Sequence, residues 1–278
     1  MAGTEQFFSR RTLLWGAGIL ATCRLDSLAM QNASGYGLTD LLDGAGMVKI
    51  RSGEFQMGST SGNADERPVR RVRISQDFEI GKCEVTQAQW EAVMGEAHGA
   101  TGAVVNKDGA AVSRNPSRFK GASLPVESVS WADVQSFLAR LNARDSRYVW
   151  RLPTEAEWEY VCKAGDGREA SLGTIAWYQA NSEAQTHPVA TKEPNAWGVH
   201  DMQGNVAEWV QDWYSPDYYE NSPVIDPKGP ETGSYRVFRG SCWHNGPEKC
   251  RASIRGLDFP VSRLDYVGFR LVRMPTSR

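Results

Sequence analysis

The stretch from Arg236 to Val272 sets the tightest limit on what this chain can fold into. Its ends are ordinary strand sequence, Tyr235-Arg236-Val237-Phe238-Arg239 and Val267-Gly268-Phe269-Arg270-Leu271-Val272. Between them, Gly256-Leu257-Asp258-Phe259 and Val261-Ser262-Arg263-Leu264-Asp265-Tyr266 fit neither the helical nor the strand period. A fold that accepts this must suspend long irregular chain between rigid strands. Irregular sequence held that way is how proteins build binding surfaces, so function is expected here.

The 278 residues suffice for one large domain or two small ones. At 41% hydrophobic and 23% charged, the chain can bury a substantial core. A net charge of −2 provides no broad basic surface for nucleic acid. Ten tryptophans beside 27 glycines suggest a loop-rich fold pinned by large aromatics.

The N-terminus reads as a targeting segment. Ser9-Arg10-Arg11-Thr12-Leu13-Leu14 resembles a twin-arginine export signal, and the apolar run from Thr12 to Thr22 is too short to span a bilayer. Leu20-Ala21-Thr22-Cys23 resembles a lipobox with Cys23 as the lipidated residue; a cleaved soluble signal is the alternative. A lipid would tether the mature protein to a membrane without spanning it, and display on the outer-membrane surface is expected. Residues 24–46 read as a tether and 47–273 as the folded domain. The remaining cysteines, Cys83, Cys162, Cys242 and Cys250, permit pairing without requiring it, and none has zinc spacing.

Met47 to Ile50, Gly53 to Gly58 and Val69 to Ile74 read as strands. Thr86-Gln87-Ala88-Gln89 and Thr154-Glu155-Ala156-Glu157 are capping boxes that open helices, ended near Gly95 and Gly165. Ser130-Trp131-Ala132-Asp133 opens a third, with Trp131, Val134, Leu138 and Leu141 on one stripe. Beyond Asn181 helix signals fade, implying long loops around short strands. The class is mixed α+β.

Several segments carry a resemblance: Phe55-Gln56-Met57-Gly58-Ser59, Asp65-Glu66-Arg67-Pro68-Val69, Glu84-Val85-Thr86 and Leu124 to Trp131. Arg151 to Tyr160, Gly204-Asn205-Val206-Ala207-Glu208-Trp209, Arg239-Gly240 and Gly268-Phe269-Arg270 continue it. Together they resemble the formylglycine-generating-enzyme (sulfatase-modifying factor) family over nearly the whole mature chain. This implies that family's C-type lectin fold, with short strands, few helices and long irregular loops. The family's oxidases hold copper through two cysteines in the last segment. Here Asn245 stands where the first belongs, Cys250 falls on the second, and Cys242 stands earlier in place of a serine. The pair is incomplete, so copper and enzymatic activity are not expected; a copper-dependent oxidase of peptidyl cysteine is the alternative.

The last segment also resembles the variable proteins of diversity-generating retroelements, in which adenines of a template copy are randomised and written back into the gene. The constant skeleton is present as Arg239, Gly240, Trp243, Cys250, Arg251, Arg255, Pro260, Arg263, Gly268, Phe269 and Arg270. The variable set is then Cys242, His244, Asn245, Gly246, Ile254, Gly256, Leu257, Asp258, Phe259, Val261, Ser262, Leu264, Asp265 and Tyr266. An AAC codon randomised at both adenines never yields Lys, Glu, Gln, Met or Trp, and none of these types occurs in the set. The resemblance implies a non-catalytic, monomeric, surface-displayed protein that binds a macromolecule on a host or neighbouring cell. The resemblance to the formylglycine-generating-enzyme family also implies a calcium loop using Asp201, Gly204, Val206 and Glu208, oxygen donors suited to a hard cation; otherwise Glu208 caps a turn or pairs with an arginine.

Overall fold

In the computed structural model, residues 37–95, 104–164 and 171–276 are described. The twin-arginine motif, Cys23 and the tether as far as residue 36 lie outside them. The strands are β1 (Met47–Ile50), β2 (Gly53–Met57), β3 (Arg70–Ile74), β4 (Phe78–Gly81), β5 (Val104–Val105) and β6 (Ala111–Val112). They continue as β7 (Tyr148–Arg151), β8 (Ala207–Trp213), β9 (Arg236–Arg239), β10 (Arg255–Asp258), β11 (Val267–Phe269) and β12 (Val272–Pro275). The helices are α1 (Leu38–Asp43), α2 (Gln87–Met94), α3 (Trp131–Arg144), α4 (Glu155–Cys162), α5 (Leu172–Ile175) and α6 (Tyr218–Asn221).

All three expected N-caps form. Thr86, Ser130 and Thr154 accept from the backbone N–H groups of Gln89, Asp133 and Glu157, and each N3 side chain returns a bond to the cap backbone. Helix α3 buries its expected stripe of Trp131, Val134, Leu138 and Leu141, with Phe137 added. Within the stretch read as tether, α1 instead packs on the core: Leu41 is buried, and Arg273 donates to the carbonyls of Leu41 and Leu42.

Two four-stranded sheets organise the chain, in orders β1-β4-β12-β7 and β10-β9-β8-β11, alongside the β2-β3 and β5-β6 hairpins. One apolar cluster gathers Trp90, Phe137, Trp150, Trp209 and Phe269; a second gathers Ile80, Trp158, Val210, Val237 and Val272. Trp90 stacks on Phe137 at 5.5 Å, and both meet Phe269 edge-on. The end of the irregular segment is thereby locked into the core. Among the described residues no helix is long and apolar enough to cross a membrane.

Candidate functional site: an arginine frame beneath an exposed face

The segment 236–272 enters the second sheet three times. β9 lies antiparallel to β8, β10 antiparallel to β9, and β11 parallel to β8. β10 corrects the sequence reading: Gly256 to Asp258 form a strand, because β9 offers its edge even though the residues show no alternation. Gly240 leaves β9 with φ +83°, a left-handed conformation that glycine adopts without strain, and the chain turns away from the sheet there.

Five arginines of this segment reach back to carboxylates elsewhere in the molecule. Arg239 is wholly buried and bridges Glu155 (2.7 Å) and Glu159 (2.5 Å), which share one face of α4. Arg255 grips Glu155 with Nε (2.7 Å) and a second nitrogen (3.0 Å). Arg251 clasps buried Glu66 at 2.7 Å through both oxygens. Arg263 does the same to Asp133 of the α3 cap, at 2.7 and 3.0 Å. Arg270 holds Glu208 of β8 at 2.6 Å twice. Planar guanidinium forks fix direction as well as distance, so these contacts orient the loops. Burial alone would raise Glu66. Hydrogen bonds from Arg251, Ser253 and the Asn63 backbone override that and hold it at about 2.

The expected contact positions divide into two groups. His244, Phe259 and Val261 are exposed, Phe259 to 50% and Val261 to 59%. Asn245, Gly246, Leu257, Asp258, Ser262, Leu264, Asp265 and Tyr266 are half-buried on the same segment. Asp258 is engaged internally, accepting from the Phe259 N–H (2.7 Å) and the Ser262 hydroxyl (2.5 Å), which shapes the turn beneath the exposed pair. Asp265 accepts from Arg118. Leu264 and Tyr266 rest partly on the core.

Three positions depart from the expectation. Cys242 is 0% exposed and Ile254 8%, so both pack inward and offer a ligand no surface. Gly256 lies beneath the Phe238 ring. Arg118, Phe119, Tyr235 and Phe238 belong to the face without having been expected there. Arg118 lies 5.8 Å over Trp243, Phe119 meets Trp243 edge-on, and Tyr235 packs at 4.7 Å on Phe259.

Both thiols of the segment are buried. Burial pushes Cys242 up to about 12 and raises Cys250, which donates to the Ser241 hydroxyl at 3.3 Å. Of the expected calcium donors, Glu208 is committed to other partners. Both oxygens of Glu208 are taken by Arg270, and one also accepts from the Trp158 indole at 2.7 Å. The other carboxylate, Asp201, accepts from the Ala190 N–H at 2.6 Å and keeps one buried oxygen without a partner. Gly204 and Val206 would add only backbone carbonyls. Burial raises the Asp201 carboxyl above its ordinary value.

Residues 39–275 match the sulfatase-modifying factor enzyme 1-like domain. The chain belongs to this family. Within it, the chain is 32% identical over 285 residues to the formylglycine-generating enzyme of Streptomyces coelicolor, spanning 81% of this chain and 88% of the enzyme. It is also 32% identical over 244 residues to the serine/threonine-protein kinase pkn1 of Chlamydia pneumoniae, where it spans 38% of that protein's length. Among solved structures it resembles Treponema denticola variable protein 1, with TM-score 0.69, 29% identity, and coverage of 82% of this chain and 95% of that one. The fold is the family's C-type lectin fold, and the family holds both catalytic members and this variable protein.

Proposed function

We propose that this protein is a non-catalytic binder whose ligand face is built from His244, Leu257, Phe259, Val261, Leu264, Asp265 and Tyr266, rewritten by a retroelement and displayed on a lipid anchor. The observation that carries this reading is the separation of roles within one segment. The arginines that hold it are tied to distant carboxylates, while Phe259 and Val261 stand free of that frame. A face built this way accepts new side chains without refolding. Apolar and aromatic groups at its centre suit a macromolecular ligand on a host or neighbouring cell. The Treponema variable protein supports the reading by likeness of fold and sequence. The test is the DNA beside the gene. A reverse-transcriptase gene and a near-copy of the segment are expected, the copies differing almost only at template adenines. If no such repeat exists, a fixed-ligand protein becomes the better account.

A second reading rests on the 32% identity to the Streptomyces formylglycine-generating enzyme: a copper-dependent oxidase using Cys242 and Cys250. Tight Cu(I) binding and oxidation of a cysteine peptide by purified protein would establish it. Asn245, standing where the family's first copper cysteine belongs, argues against it, because the thiolate pair is then incomplete.

A further inference from the structure

Phe238 of β9 and Gly256 of β10 stand directly opposite one another in the antiparallel ladder. Gly256 has no side chain, and the Phe238 ring lies across it. The first carbon of any side chain at 256 would fall 2.0 Å from that ring, with two further ring atoms within 2.5 Å. An aromatic ring covering a glycine across a strand pair shields otherwise bare backbone. From this position the ring meets two others edge-on, Trp209 at 5.6 Å and Tyr266 at 6.2 Å.

The two neighbours differ in freedom. Trp209 is wholly buried, and its indole N–H is fixed on the Val129 carbonyl at 2.9 Å. Tyr266 is half-buried on the ligand face, and its ring touches the exposed His244 ring at 4.9 Å. A ring displaced from Gly256 therefore has a fixed wall on one side and a yielding partner on the other. Phe238 is itself half-buried, so its ring can shift only along the open side that Tyr266 borders.

We propose that Phe238 is a positioning residue of the ligand face: its ring transmits the identity of residue 256 to Tyr266 and, through Tyr266, to His244. This rests on the reading of that face as the ligand site. Residue 256, which the ring covers, then alters specificity by moving residues that a ligand does touch. Variation at 256 and at 266 is coupled through a residue outside the variable set.

The experiment follows the aromatic ring signals of Tyr266 and His244 by NMR in otherwise intact protein. Gly256→Ser should displace both, while the signals of Tyr148 on β7 stay put. Repeating Gly256→Ser on a Phe238→Leu background should cut the Tyr266 displacement to the level of Tyr148. On a Phe238→Tyr background, which keeps the ring, the displacement should persist and show that the ring, not bulk alone, carries the effect. An unmoved Tyr266 in Gly256→Ser, or equal displacement with Leu and Phe at 238, would overturn the proposal. No ligand enters the measurement, so its failure leaves the ligand-face reading standing, and loss of that reading leaves the coupling measurable.

Discussion

Arg239 and Phe259 lie in the same segment, 236–272, and their surroundings are opposite. Arg239 is wholly buried and tied to Glu155, Glu159 and the Ala252 carbonyl; Phe259 is half-exposed and its ring leans on Tyr235. The difference teaches how a chain can keep one shape while changing its surface. Shape is assigned to charged groups that reach into the molecule, and contact is assigned to neighbours that reach out. Each assignment can be broken separately.

The largest effect is expected at the frame's centre. Arg239→Ala would remove the buried cation that joins Glu155 to Glu159, leaving Glu155 to Arg255 and Glu159 to Lys163, and removing one member of a buried ion pair costs about 3–5 kcal/mol. Denaturant unfolding should show a loss of at least that size or a failure to fold. Arg263→Ala should cost less, about 1–3 kcal/mol, because Arg263 is partly exposed although Asp133 is not. A smaller loss at Arg239 than at Arg263 would contradict the frame.

Glu66 sharpens the comparison through pH. Its folded pKa, about 2, lies below the ordinary carboxylate value, so its stabilisation is fully present above that ordinary value. It is lost as pH falls toward 2. Unfolding midpoints measured downward from pH 5 should fall more steeply in the wild type than in Arg251→Ala, which lacks the partner. Equal slopes would show that the pair does not clamp the loop. Smallest of all, Asp265→Asn, which discharges an exposed pair with Arg118, should change stability by less than about 1 kcal/mol while altering the charge of the face.

Much of this architecture is legible in the sequence because it is local. The capping boxes at Thr86, Ser130 and Thr154 are read from four consecutive residues, and the α3 stripe from its spacing. Family motifs supply the fold. The frame is not legible, since Arg251 finds Glu66 across 185 residues and Arg255 finds Glu155 across 100. A hint existed in the helix opened at Thr154. Glu155 and Glu159 share a face spaced for one partner, yet only the cap role of Glu157 is local. Inward packing of Cys242 and Ile254 was invisible for a different reason. A codon pattern records which residues can change, and burial is fixed by neighbours from other strands. Strand β10 escaped because pairing with β9, not alternation, makes it.

The measurement that bears most directly on this account replaces His244, Leu257, Phe259 and Val261 by alanine together and follows thermal unfolding. The account predicts a midpoint within about 5 °C of the wild type, because these side chains lie outside the arginine frame. A fall of more than about 10 °C would mean that these residues hold the fold, and the division between frame and face would be wrong.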